Sequence, residues 1–421
     1  MNHFWRISIV SVCLGFGFVF PARGQEWTRF RGPNGSGISD TSTFPAQWAQ
    51  KDYRWKIELP GGGHSSPVVW GDKVFVTCAD DQTGKRMVVC IGTASGKILW
   101  KREFGGNAYA KHMDNSYASS TPAVDAERVY VCWSTPEEFS LVAIDHDGKD
   151  AWKADLGPFV SQHGGGQSPI VVGDMVLLGD DQEGQSSFVF GIEKATGKVA
   201  WRTPRVKSNK FCPATPCTYT PAGGEPQAVF LSKAEGVTAI DPKSGKVLWQ
   251  AKDVFDARAV GSPVIAGDLI IGSCGDGPVG HDLVAVRPGG DGKPATEVWH
   301  TRDSTPYVTT TLVKHDLLFC WGDSGLVTCR RPATGEQVWQ QRVPGGAFYS
   351  SPICCGDTIF NITKKGEVIA IAAKDKYELL GRTALNEKCQ ATPAVAEGKM
   401  YVRTYTHLYC VAGKSLAAAS R

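Results

Sequence analysis

"SSPVVWGDKVFV", Ser65 to Val76, joins a Ser-Pro step, a short apolar run, a Gly-Asp turn and a β-branched run. The same phrase returns as "STPAVDAERVYV" from Ser120, "QSPIVVGDMVLL" from Gln167 and "GSPVIAGDLIIG" from Gly261. It returns again as "SSPICCGDTIF" from Ser350 and "ATPAVAEGKMYV" from Ala391, with worn copies at Thr215 to Leu231 and Thr309 to Phe319. A second phrase closes most copies, a Gly with a Trp four residues on: Gly96/Trp100, Gly148/Trp152, Gly197/Trp201, Gly245/Trp249 and Gly335/Trp339. Trp299 follows a longer turn, and the seventh copy has lost both residues. Each unit of about 40–55 residues reads as four short strands bounded by turn residues, and helical periodicity appears nowhere after the N-terminal segment. Repeated four-stranded units predict an all-β chain, an eight-bladed β-propeller of four-stranded blades.

The count also predicts how the ring closes. The eighth copy ends at "HLYCVAG" without a Trp strand, while "YRWKIELP", Tyr53 to Pro60, is an unattached Trp strand resembling "ILWKREF". An N-terminal strand is therefore expected to complete the last blade, leaving no open ring edge. Trp55, Trp100, Trp152, Trp201, Trp249, Trp299 and Trp339 are expected to dock neighbouring blades.

The phrases "AIDHDGKDAW" (Ala143 to Trp152), "GIEKATGKVAW" (Gly191 to Trp201) and "AIDPKSGKVLW" (Ala239 to Trp249) resemble the pyrroloquinoline quinone (PQQ) propeller repeat. The resemblance covers roughly Trp27 to Gly413. It implies membership of the quinoprotein alcohol dehydrogenase-like superfamily, which holds eight-bladed quinoprotein dehydrogenases and non-catalytic exported propellers of the BamB type. The opening "FRGPNGSGISD", followed by "ELPGGGHSSPVVWGDKVFVT", looks like the exported BamB-like branch. The glycine-rich opening lacks the Gly-Lys-Ser/Thr and helix signal of a phosphate cradle, and reads as a turn-rich surface lead-in. The chain then divides into a signal peptide (1–24), the lead-in (25–52), the propeller (53–413) and a tail (414–421).

Residues 1–24 read as an export signal: Arg6, then the apolar run Ile7 to Phe20, then small residues Ala22 and Gly24 at a cleavage site near Gly24. The run is shorter than the ~20 residues of a membrane span. The expected location is the periplasm or cell envelope. The formal charge of the 421-residue chain is +3 with no long basic tract, which argues against nucleic acid as a partner. A monomer with a protein or peptide partner is expected.

Export makes disulfides feasible, but most cysteines sit in strand runs and none has zinc spacing. Cys212 and Cys217 ("CPATPC") bracket a loop small enough to close. Cys354 and Cys355 align with Val69 and Trp70 at the end of the innermost strand, away from the channel mouth. They read as strand residues, with a vicinal disulfide as the alternative.

No catalytic constellation and no metal site can be assigned. The acidic runs Asp80-Asp81-Gln82 and Asp180-Asp181-Gln182-Glu183 read as solvated hairpin tips. Loops entering the innermost strands of a propeller open onto the channel mouth. Here they carry His64, His112, Asp114, Asn115, Tyr117, His163, Gln167, Arg258, Tyr307, Phe348, Tyr349 and Gln390, a ligand-binding funnel by expectation. The leading functional expectation is a non-catalytic protein-binding or envelope-assembly platform without cofactor. The rivals are a quinoprotein dehydrogenase using PQQ and Ca²⁺, and a glycan-binding propeller.

Overall fold

The computed structural model of the chain describes residues 25–40, 42–277, 279–290 and 293–415. The expected signal peptide and most of the tail lie outside them. Eight blades stand in a ring, each an antiparallel sheet of four strands running outward from the channel. Blade 1 is Val68–Trp70, Lys73–Ala79, Arg86–Gly92 and Ile98–Phe104. Blades 2 to 7 follow as residues 123–157, 170–205, 217–251, 264–301, 312–342 and 353–384. Blade 8 takes three strands from 394–412 and its outermost from Tyr53–Glu58, which pairs with His407–Ala412 in the register Trp55↔Cys410. The first strand of the ring thus closes its last blade.

The Gly-Trp phrase has a steric cause. Gly197 has φ of 75°, and a Cβ there would lie 2.5 Å from the Trp152 ring of the preceding blade. Gly96, Gly148, Gly245 and Gly335 meet Trp55, Trp100, Trp201 and Trp299 in the same way. The indole N–H groups of Trp55, Trp100, Trp152, Trp201, Trp299 and Trp339 donate to backbone carbonyls of the next blade, at Thr93, His146, Lys194, Pro242, Pro332 and Lys374. Trp249 instead donates to Gln227 Oε1 of its own blade. A β-bulge sits just before each of these positions, at Leu99 in blade 1 for example, and re-aims the Trp across the blade interface. Blade 7 has Gly381 at the Trp position because the lead-in packs there. A Cβ on Gly381 would lie 2.4 Å from the Ala46 carbonyl oxygen, Trp48 N–H donates to Thr383 Oγ1, and the Trp48 ring lies 6.2 Å from that of Phe360.

The lead-in departs from expectation. Residues 25–40 are not a surface turn but run inside the channel, at its far end. Trp27 bridges to Val69 of blade 1, Thr28 accepts from Val124 N–H of blade 2, and Asn34 holds Thr218 of blade 4. Ile38–Ser39 then pairs in parallel with Cys354 and Cys355 as a fifth strand of blade 7. Trp27 and Arg31 are fully buried. Glycines 32, 35 and 37, all at positive φ, let this segment fold within so narrow a space.

The same pairing resolves the cysteines. Adjacent strand residues point to opposite sheet faces. Cys354 packs in the core between blades 6 and 7, and Cys355 in the core between blades 7 and 8. Both are free thiols, as are Cys212 and Cys217, and burial pushes Cys354 up to about 12.

Candidate functional site

The Ser or Thr before the innermost strand uses its hydroxyl, in seven of the eight blades, to accept a backbone N–H from the preceding blade. Ser66 N–H donates to Thr121 Oγ1, and Thr121 N–H to Ser168 Oγ. Thr215 N–H reaches Ser262, Ser262 reaches Thr310, Thr310 reaches Ser351, Ser351 reaches Thr392, and Thr392 returns to Ser66, all at 2.9–3.2 Å. These residues form a hydroxyl belt around the channel. The Pro that follows most of them has no N–H of its own to satisfy inside the lumen.

Above the belt lies a cavity of about 360 Å³. Its walls include the eight belt residues Ser66, Thr121, Ser168, Thr215, Ser262, Thr310, Ser351 and Thr392, and its floor includes Phe30 from the lead-in. Of the sequence-predicted funnel residues, His64, His112, Asp114, Asn115, His163, Arg258, Tyr307, Tyr349 and Gln390 border this one cavity. Three do not. Phe348 is buried edge-on against Trp321, and Tyr117 packs on Tyr109 and donates to its carbonyl. Gln167 is buried behind the belt, accepting from Ser134 Oγ.

The rim residues engage one another. His112 and His163 stack with ring centroids 5.3 Å apart, and His163 Nε2 lies 2.7 Å from Arg258 Nη1. Asn115 donates to the His163 and Gly165 carbonyls, tying the blade 2 and blade 3 loops together. Asp114 pairs across the mouth with Lys364 at 2.7 Å, and that ammonium lies 4.1 Å from the Tyr349 ring centre. Asp276 is held by Lys210, which keeps its carboxyl below the usual range. Burial, with Arg403 and Lys388 nearby, lowers His64 to about 3, so its imidazole is neutral, and its buried Nδ1 has no partner. Burial raises Tyr349 to about 12 and Asp323, behind the Tyr307 loop, to about 6.

Sequence reading missed the belt, Phe30, Lys364 and Asp276. The belt's signal is the Ser/Thr before most of the strand-initial prolines, which by itself marks only a strand start. The acidic runs divide. Asp80 and Asp81 are exposed, whereas Asp180 and Asp181 are buried, the latter on Arg205 Nε at 3.0 Å and Ser232 Oγ. A further cluster, Asp256, Cys274 and Asp282 on blade 5, brings its donor atoms within 4.8 Å of one another. It is neutralised by Arg302, which reaches both carboxylates, with His281 on Asp256 and His300 on Asp282.

The sequence profile described as "Outer membrane protein assembly factor BamB" matches residues 46–211, 140–341, 294–378 and 323–420, most of the chain. The chain belongs to the BamB family. Among solved structures, this BamB-family chain is similar to BamB from Moraxella catarrhalis, at TM-score 0.61 and 15% identity, covering 85% of this chain and 95% of that one. It is also similar to a quinohemoprotein alcohol dehydrogenase from Comamonas testosteroni, at TM-score 0.63 and 13% identity, covering 92% and 80%. At such identities the likeness establishes the propeller fold. A quinoprotein ethanol dehydrogenase of Pseudomonas aeruginosa is 25% identical over 200 residues, which is 43% of this chain and 31% of that protein.

The dehydrogenase neighbours raise the question of a quinone with its calcium, and the BamB-family funnel does not match that pair. A hard cation takes six to eight oxygen ligands. The two carboxylates on the cavity wall, Asp114 and Asp276, are each bound by a lysine.

Proposed function

We propose that this propeller is an exported, non-catalytic binding platform of the cell envelope, a monomer that receives a protein segment at the channel mouth. The reading rests on one observation: the channel is a blind recess, sealed from below by the chain's own residues 25–40. A recess entered from one side, with the carboxylates of its wall, Asp114 and Asp276, already held by lysines, is built to receive a ligand. The family match supports a role in envelope assembly, and the leader pattern supports export. Met113, on the rim loop of blade 2, is 90% exposed and offers an apolar contact beside the entrance.

A photoreactive residue at position 113, activated in cells, should give one or a few discrete protein adducts in the envelope fraction. The same residue at position 247, on the outer strand of blade 4, should not. Adducts at both positions alike, or at neither, overturn the platform reading. The dehydrogenase rival is tested separately with PQQ and Ca²⁺: saturable quinone binding with dye reduction by alcohols would establish it in place of this proposal.

A further inference from the structure

Immediately beneath the belt, the lead-in places two cations with no counter-charge. Arg29 and Arg31 are 7% and 0% exposed. Arg29 donates to the Pro216 carbonyl, and Arg31 to those of Pro352 and Ser36, at 3.1 and 3.3 Å. Pro216 and Pro352 directly follow the belt residues Thr215 and Ser351, and Phe30 between the two arginines forms the cavity floor. No carboxylate among the described residues forms an ion pair with either guanidinium. Nε of both and Nη1 of Arg31 have no partner at all. Burial alone lowers Arg31, to about 9, and it still carries its charge at neutral pH. An uncompensated buried charge is costly, and proteins pair such groups.

The belt points to the same ligand. A hydroxyl has one proton to give and two lone pairs. The oxygens of Ser66, Thr121, Ser168, Ser262, Thr310, Ser351 and Thr392 each accept a neighbouring blade's N–H. None of their protons goes to an acceptor among the described residues, and all seven side chains border the cavity. The lumen is thus ringed with unused donors, with Arg258, whose Nε is also unpartnered, higher on the wall. The carboxylates that face the same space, Asp114 and Asp276, are already bound by Lys364 and Lys210, and Glu183 lies beside Arg258 at 3.5 Å.

Phe30 lines the cavity but the two arginines do not, so their charge acts from behind its wall. We infer that the recess is an oxyanion receptor: a carboxylate or phosphate enters by the mouth and is held by the belt hydroxyls, in the field of the buried Arg29 and Arg31. This deepens the platform reading and rests on the recess being a binding site. Hydrogen bonds to an ionised acceptor are the strong ones, and a ring of hydroxyls with two guanidiniums behind it supplies several. The anion has two sources, a free oxyanion or the terminal carboxylate of an entering peptide.

The test uses the mature full chain in a buffer without phosphate or carboxylate. Inorganic phosphate, citrate and an acetylated tri-alanine with a free carboxyl end are titrated at constant ionic strength, with the amidated tri-alanine as comparison. The readouts are melting temperature and calorimetric heat. At least one oxyanion should raise the melting temperature saturably. A free-acid peptide active where its amide is silent assigns the source to a chain terminus; phosphate or citrate alone assigns it to a free ion. Arg31→Gln removes the buried charge, so it should melt higher than wild type without anion and bind at least roughly tenfold more weakly. Val247→Thr, on the exposed outer strand of blade 4 and away from the recess, should bind normally. Wild-type melting that follows ionic strength only, or equal binding by wild type and Arg31→Gln, overturns the receptor. Failed crosslinking at position 113 with intact anion binding would sink the protein-platform reading alone.

Discussion

Asp180 shows how a single carboxyl can be misread from its neighbours. An acidic run between two strands resembles a solvated turn, yet this side chain is buried and burial raises it to about 8, with only Gln182 Nε2 donating to it. The unfolded carboxyl ionises near 4. The folded protein therefore keeps its proton between those values while the unfolded chain has lost it. The group's contribution to stability falls as pH rises from about 4 to 8 and is flat above. Asp180→Asn mimics the protonated form. Urea denaturation should find it level with wild type at pH 4.5 and more stable by roughly 2 kcal/mol or more at pH 8.5. A constant difference across that range would contradict the assignment. Gly197 is the opposite case, legible in sequence as half of the Gly-Trp phrase. Gly197→Ala forces both a left-handed Cβ and a 2.5 Å contact with Trp152, and should cost about 2–4 kcal/mol in the same measurement.

At the scale of the element, the repeat phrase carried most of the fold because its parts return at fixed places in most units. Pro at the start of the innermost strand is a local requirement, while Gly and Trp, which each meet a neighbouring blade, still stand four residues apart within most units and so show as spacing. The belt was harder to read. Ser or Thr before Pro is common in many contexts, and only the ring geometry shows that such a hydroxyl serves the preceding blade, some 40 to 55 residues away in sequence. Thr310→Val keeps the shape but leaves the Ser262 N–H without its acceptor. The expected loss is about 1–3 kcal/mol, against little change for Thr310→Ser, read by chemical denaturation. The rim loops lie between these cases. His64, His163 and Arg258 were legible as mouth residues by position in the repeat, whereas Phe348 and Tyr117 occupy the same loops and turn inward to pack on Trp321 and Tyr109.

At the scale of the whole molecule, ring closure was legible because a lone Trp strand and a missing one complement each other. The channel occupant was not. "FRGPNGSGISD" has the composition of a surface turn, and nothing in its local pattern records that eight blades leave a space that it fills. The two roles of the N-terminal segment separate by deletion. Removing residues 25–40 should leave a cooperative ring with a lower melting temperature, and should abolish any oxyanion response. Removing residues 25–60 takes away the outer strand of blade 8 and the interface it makes with blade 1. That should broaden or abolish the calorimetric transition itself. Equal melting of the two truncations would show that the strand does not clasp the ring.

The clasp also orders events in time. Tyr53–Glu58 has no sheet to join until His407–Ala412 exists, so nearly the whole chain is made before its first strand finds a partner. Contacts this distant in sequence form slowly, because the loop they close is long. Until that moment both ends of the nascent arc present bare strand edges, the feature that invites pairing with another molecule. The propeller is therefore most vulnerable to aggregation not while its blades form but in the interval before they meet. Refolding should end in a slow phase, one that lengthens when the Tyr53–Glu58 strand is weakened.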